Sequence, residues 1–194
     1  MSWKTFYSLK KLVKEGERLA AECQTVSFDL FDTLLVRRIH DPDIVKLPVA
    51  RYISSLASEA GLACSPEAVQ ACRDRLEKEQ RQETAQLFED HEACYPVFME
   101  RTLREIFGER YGDSLLADIT AYELEMESRV LVPRSLLAGW MSDLHKQGKR
   151  ILIISDIYLP SQHLKTLVDR AGLLEFAEAV VSSADTFLAK ASGK

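Results

Sequence analysis

The sequence predicts an α/β protein whose Rossmann-like parallel sheet is interrupted by a long helical insert. Three short apolar runs are typical of buried strands and alternate with segments that have helical apolar spacing: residues 26–31, 150–156 and 179–183. Between the first and second runs, residues 41–134 show helical patterning and no convincing strand. We therefore predict a three-layer core formed by residues 1–40 and 135–194, with an all-helical insert at 41–134.

Composition and charge limit the classes of function. The chain has 194 residues, is 46% hydrophobic and has a formal net charge of −5. General nucleic-acid binding has no electrostatic support, and no apolar run approaches the roughly 18 residues that span a bilayer. The four cysteines lack CxxC spacing, so neither a zinc site nor a disulfide framework is predicted. The amino terminus does not resemble a secretory signal, and we expect a cytoplasmic protein.

The helices are placed by their apolar periodicity and by the residues at their ends. Ser65 followed by Pro66 and Glu67 is typical of a helix start, and Gly148 and Gly172 are typical stops. The predicted helices cover residues 6–22, 44–60, 65–87, 96–107, 114–130, 135–147 and 160–170. The histidines fit no metal-ligand spacing and are expected at the surface: His40, His91, His145 and His163.

Polar side chains follow each predicted strand. Asp29 and Asp32 end the first, Ser155 and Asp156 end the second, and Lys190 comes after the third. Ligands of open α/β sheets bind at the carboxyl ends of the strands. The first strand alone leaves a structural turn and a functional carboxylate equally open, because aspartate is common in turns. Three such groups at three strand ends favour a functional site.

At these positions the chain resembles the haloacid dehalogenase superfamily. The segment Phe28–Leu34 (FDLFDTL) is similar to its first motif, and Ile153–Asp156 is similar to its second. Ser182–Asp185 leading to Lys190 is similar to its third, and the insert lies where that superfamily has its cap. The first motif is most similar to a branch often found near polysaccharide and glycosyltransferase functions.

The resemblance implies a role for each of these residues. Asp29 would be a nucleophile that forms a covalent ester. Ser155 would bind a transferring phosphoryl oxygen, and Lys190, with Lys194 as the second candidate, would neutralise the charge. Asp29 and the backbone carbonyl of Phe31 would supply two ligands of a magnesium ion.

The substrate implied by the resemblance is a phosphorylated small molecule. Candidate substrate-binding residues are the polar side chains that flank the motifs: Asp32, Thr33, Arg37 and Asp156. Asp156 could instead cap the turn that follows it, and Arg37 could be an ordinary surface arginine. The residues alone do not identify the substrate, because the insert would select it.

Position 31 departs from the pattern of the superfamily's phosphatases. Those enzymes have a second aspartate two residues after the nucleophile, which acts as general acid and base, and here that residue is Phe31. Dehalogenases of the superfamily have an aromatic residue there. Carbon–halogen hydrolysis without metal is therefore the alternative within enzymes.

The acidic fourth motif, which completes the magnesium site, is the second departure. It would follow a further strand, and the sequence ends at Lys194 before one. We therefore expect that the carboxyl-terminal part of the core is missing, that activity is incomplete, and that the chain self-associates or joins a further domain. A non-catalytic domain that binds a sugar phosphate or a partner protein is the interpretation from a different functional class.

Overall fold

The computed structural model describes residues 4–192, apart from the side chains of Asp113 and Ala191. The α-helices in this range are α1 (Leu9–Ala20), α2 (Lys46–Glu59), α3 (Pro66–Phe88), α4 (Tyr95–Phe107), α5 (Asp113–Val130), α6 (Ser135–Lys146), α7 (Ser161–Arg170) and α8 (Ser183–Thr186). The strands are β1 (Thr25–Asp29), β2 (Leu35–Arg37), β3 (Leu131–Pro133), β4 (Arg150–Ser155) and β5 (Ala179–Ser182). Short 3-10 helices include Pro42–Val45 and Lys190–Ser192.

The main sheet is parallel and, within the described residues, has the strand order β1–β4–β5. Asp29 lies opposite Ile154, and Ser155 lies opposite Ser182. Because the three strands run in one direction, their carboxyl ends meet at the same edge of the sheet. The predicted Rossmann-like α/β fold is confirmed. Within the described residues, β1 is an edge strand of this sheet.

Helices α6 and α7 pack against the strands of the sheet and bury the apolar faces that their sequence patterns predict. On α6 the inward side chains Leu137, Met141 and Leu144 are at most 2% exposed. The ring of Trp140, also on α6, meets Phe28 of β1 edge to face, with 5.1 Å between centroids. Burial of such apolar side chains stabilises each by about 1.5–3 kcal/mol, so packing onto the helices fixes the strand that ends at Asp29.

The insert, residues 41–134, is helical except at its carboxyl end. Its α3 begins as predicted, because Ser65 Oγ accepts a hydrogen bond from the backbone N–H of Ala68 at 3.2 Å. Residues 131–133, however, form β3, which pairs antiparallel with β2. A three-residue strand has too short a pattern to be recognised, and here it forms because the chain entering the insert pairs with the chain leaving it. None of the helices in residues 4–192 is long and apolar enough to cross a bilayer.

His163 is not the surface residue that the sequence predicts. It lies on α7, and its ring is partly buried against Tyr95, with 5.9 Å between centroids. Its Nδ1 is buried and has no hydrogen-bond partner among the described residues. Burial therefore lowers the pKa of His163, although the carboxylates of Glu123 and Asp185 oppose that shift.

Candidate active site

A carboxylate and an ammonium group meet at the carboxyl end of the sheet. Asp29 is the last residue of β1, and its side chain is 41% exposed. Lys190 Nζ donates a hydrogen bond to Asp29 Oδ1 at 2.5 Å and another to the backbone carbonyl of Ile154 at 3.2 Å. The structure thus brings together two of the residues that the sequence singled out, although they are far apart in the chain.

The turn after β1 fixes the other oxygen of this carboxylate. Thr33 Oγ1 donates a hydrogen bond to Asp29 Oδ2 at 2.8 Å. The turn is possible because Asp32 adopts a left-handed conformation (φ 57°), which aspartate tolerates better than most residues, and because Leu35 N–H closes onto the carbonyl of Leu30 at 2.9 Å. Both oxygens of Asp29 are therefore oriented by neighbours.

Arg134, which the sequence analysis missed, holds this turn from the far end of the insert. Its guanidinium donates to the backbone carbonyls of Asp32 at 2.9 Å and Thr33 at 3.1 Å. The side chain of Asp32 is exposed, and substrate binding by Asp32 and Thr33 stays a prediction. No local pattern marks Arg134, because its partners lie about a hundred positions earlier in the chain.

Ser155 and Asp156 occupy different positions at the end of β4. Ser155 is the last residue of the strand and is only 2% exposed. The carboxylate of Asp156 accepts a hydrogen bond from the backbone N–H of Lys190, at 3.2 Å to Oδ1 and 3.1 Å to Oδ2. Asp156 thus holds the segment that carries the lysine. Its contact with substrate, and that of Ser155, stay predictions.

Phe31, two residues after Asp29, packs under an arginine. The guanidinium of Arg37 lies 4.5 Å from the ring centroid of Phe31 and forms an ion pair with Glu127, with 3.3 Å between Nη2 and Oε1. Burial raises the pKa of Glu127, and the charge of Arg37 opposes that shift. The predicted contact of Arg37 with an anionic substrate would have to compete with this pair.

The donor groups described at the site are too few to hold a resident magnesium ion by themselves. The described residues contain no group of three or more histidine, cysteine, aspartate or glutamate side chains that could hold a metal. Both oxygens of Asp29 already accept hydrogen bonds, from Lys190 and Thr33. One carboxylate and the Phe31 carbonyl fill only part of the octahedral shell that magnesium requires, so water or substrate oxygens would have to supply the remaining ligands. Lys194, the second candidate for the lysine, lies outside the described residues.

A large, mostly apolar cleft adjoins the site along β1. Its volume is about 810 Å³, and Asp29 and Thr33 line it together with Phe28, Leu19 and Trp140. Apolar side chains of α1 and α6 form much of its wall. The nucleophile candidate therefore borders an apolar cleft.

No family model matches this chain, and no curated protein sequence matches it. The solved structures to which it is similar are members of the haloacid dehalogenase superfamily. L-2-haloacid dehalogenase from Xanthobacter autotrophicus is 20% identical, with a TM-score of 0.43, over 84% of this chain and 58% of that one. A HAD-hydrolase, YfnB from Bacillus subtilis, bound to magnesium, is 16% identical, with a TM-score of 0.44, over 85% of this chain and 67% of that one.

A further dehalogenase, described with an intermediate complex, is 16% identical, with a TM-score of 0.42, and 65% of its length is covered. The chain thus spans 58–65% of the length of these dehalogenases. With identities and TM-scores this low, the similarity concerns the fold alone.

Proposed function

We propose that the chain is a hydrolase of the haloacid dehalogenase superfamily that acts on a phosphorylated small molecule through an ester of Asp29. The observation that supports this most directly is the contact between Lys190 Nζ and Asp29 Oδ1 at 2.5 Å. A half-exposed carboxylate at a strand end, oriented on both oxygens, is suited to attack a substrate that enters from solvent.

In the proposed reaction, an oxygen of Asp29 forms a bond to phosphorus while the bond from phosphorus to the leaving oxygen breaks. Water then attacks phosphorus, which releases phosphate and restores the carboxylate. Lys190 balances negative charge on the phosphoryl oxygens, and Ser155 donates a hydrogen bond to one of them. Phe31 cannot protonate the leaving oxygen, so the proton comes from solvent and poor leaving groups react slowly.

Phe31 favours carbon–halogen hydrolysis as the second candidate function. There Asp29 attacks carbon, the halide leaves with the bonding electrons, and water hydrolyses the ester. A halide needs no proton, so Phe31 costs nothing in this reaction. The guanidinium of Arg37 covers one face of the Phe31 ring. Position 31 therefore has an apolar side, the ring, and a cationic side, the guanidinium.

The test compares three substrates: an aryl phosphate, an alkyl phosphate and 2-chloropropionate. We expect the aryl phosphate to react, the alkyl phosphate to react at least ~10²-fold more slowly because it needs a general acid, and Asp29→Asn to abolish turnover. Mass spectrometry should detect a phosphoryl adduct on the peptide that contains Asp29. Asp143→Asn is the matched control, because Asp143 is an exposed residue of α6.

Unchanged turnover in Asp29→Asn would contradict the proposal. Turnover of 2-chloropropionate alone would favour the dehalogenase. Failure of all three substrates, with no adduct, would favour a non-catalytic domain that binds a sugar phosphate or a partner protein.

Magnesium and cellular location belong to the proposal as expectations. The magnesium requirement is supported by resemblance only. The few oxygen donors at the site predict that magnesium binds weakly. Calorimetric titration of the wild type and of Asp29→Asn with magnesium chloride measures this affinity. A cytoplasmic location is supported by four cysteines that are free rather than paired: Cys23, Cys64, Cys72 and Cys94.

A further inference from the structure

The segment that carries Lys190 is short and has little regular structure of its own. After β5 the chain forms α8, and Phe187 then adopts a left-handed conformation (φ 57°) before the 3-10 helix Lys190–Ser192. A lysine side chain is long and flexible, so its ammonium group stays at Asp29 only if the backbone beneath it is fixed. Contacts to this backbone are therefore contacts that position the lysine.

Asp90, in the loop between α3 and α4 of the insert, makes two such contacts. Its Oδ2 accepts a hydrogen bond from the backbone N–H of Ala189 at 2.9 Å and another from Ser192 Oγ at 2.8 Å. These donors lie on the two sides of Lys190 in the chain. Hydrogen bonds to a carboxylate are about twice as strong as those between neutral groups.

Two neighbours of Asp90 contact the same stretch of the core. The ring of Phe88 packs against Phe187, with 5.3 Å between centroids. Glu92 Oε2 accepts a hydrogen bond from Ser183 Oγ, at the start of α8, at 2.5 Å. Alternate residues from the end of α3 into the following loop thus contact the chain from the end of β5 to the lysine segment.

The core contributes a matching contact from the opposite direction. Asp156 accepts the backbone N–H of Lys190, as described above. Two carboxylates, one from the core and one from the insert, therefore hold consecutive N–H groups of residues 189 and 190. The contact from Asp90 is the one that depends on the insert.

We propose that Asp90 is a positioning residue for Lys190, through which the insert determines whether the lysine reaches Asp29. The catalytic consequence rests on the proposed function; the positioning itself does not. Removing the charge of Asp90 weakens two hydrogen bonds at once. Loss of one such bond shifts a docked-to-undocked equilibrium about tenfold.

The experiment measures lysine acylation in the whole chain, with N-hydroxysuccinimidyl acetate as the reagent and mass spectrometry as the readout. In wild type, Lys190 should be acylated more slowly than the exposed Lys10, because its ammonium group is held by Asp29 and Ile154. In Asp90→Asn the rate at Lys190 relative to Lys10 should rise about tenfold. Asp90→Glu should restore part of the protection.

Glu83→Gln is the matched control. Glu83 lies on α3, the helix that precedes the loop of Asp90, and forms an exposed ion pair with Arg101. This variant should leave the acylation of Lys190 unchanged. Where circular dichroism shows that Asp90→Asn has lost its fold, Ser192→Ala replaces it, because that variant removes one of the two donors and leaves Asp90 in place. Its expected rise is smaller but in the same direction.

An unchanged rate at Lys190 in the folded variants, or an equal rise in Glu83→Gln, would overturn the proposal. With the aryl phosphate as substrate, Asp90→Asn should lower kcat more than it changes KM, since the phosphoryl charge develops during reaction. Acylation that responds to Asp90 in a chain without turnover would support the positioning role and contradict the proposed hydrolase. The two proposals can therefore fail separately.

Discussion

Breaking the ion pair between Arg73 and Glu123, deep in the insert, should cause a large loss in the free energy of unfolding. Each side chain is 2% exposed, and the guanidinium donates to both carboxylate oxygens, at 3.0 and 2.5 Å. Burial alone would lower the pKa of Arg73, but the charge of Glu123 more than offsets this and the pKa is raised. The arginine therefore stays charged in a site with little water.

We expect Glu123→Leu to lower the free energy of unfolding by about 3–5 kcal/mol, because it leaves the Arg73 charge buried and unpaired. The double variant Arg73→Met/Glu123→Leu should recover most of this loss, since it removes both charges and fills similar volume. The aromatic rings around the guanidinium, Tyr95, Phe98 and Tyr158 at 5.7–5.8 Å, would then pack against methionine.

The assay is equilibrium unfolding in urea, followed by near-ultraviolet circular dichroism. Arg75 and Glu105 provide the control: Nη2 of Arg75 contacts both carboxylate oxygens of Glu105, but the side chains are 46% and 54% exposed, so breaking this pair should cost under about 1 kcal/mol. A loss below about 1 kcal/mol in Glu123→Leu would refute the reasoning. So would a double variant that is less stable than the single one.

Two further predictions concern pH and association. Because burial lowers the pKa of His163, its neutral form contributes stability that is fully present above its ordinary pKa of 6.5 and is lost as the pH falls through the lowered value. We therefore expect His163→Phe to reduce the fall in the urea midpoint between pH 6.5 and 5. An unchanged pH profile in this variant would contradict the prediction. We expect the apolar cleft along β1 to promote self-association. Leu19 lies in this cleft and is 50% exposed, so Leu19→Lys should raise the monomer fraction in sedimentation velocity, whereas Leu47→Lys, at a residue that is 48% exposed elsewhere, should not. Equal effects of the two variants, or a wild-type protein that is monomeric at all concentrations, would refute the prediction.

Local patterns were sufficient to predict most of the fold. The strand ends at Asp29 and Ser155 follow from short apolar runs, and the start of α3 follows from Ser65 because a helix cap is determined by adjacent residues. The position of Lys190 followed from motif order, and the structure places its ammonium group on Asp29. These features need no knowledge of distant contacts.

The features that the sequence did not show depend on partners far along the chain. Arg37 is a candidate for binding an anionic substrate, and its ion pair with Glu127, 90 positions later in the chain, is one that no local pattern reveals. Arg134 holds backbone carbonyls, and one of the two partners of Asp90 is a backbone N–H, so no complementary residue type marks these targets. Backbone acceptors and donors occur at nearly every position, and only the fold selects which of them is used.

The ribbon formed by β2 and β3 has a consequence for how the chain is organised. Leu35 lies opposite Pro133, so the insert leaves and rejoins the core at neighbouring positions. For the core, residues 38–130 are therefore equivalent to the loop of a hairpin, and a shorter or longer module could be exchanged there without moving β1 or β4. Arg134 lies at this junction and holds the turn after β1, so the nucleophile's turn is supported by the point of exchange rather than by the exchanged module. The nucleophile's turn thus keeps its geometry when the module changes, whereas a replacement module would have to supply its own contact to the lysine segment in place of Asp90.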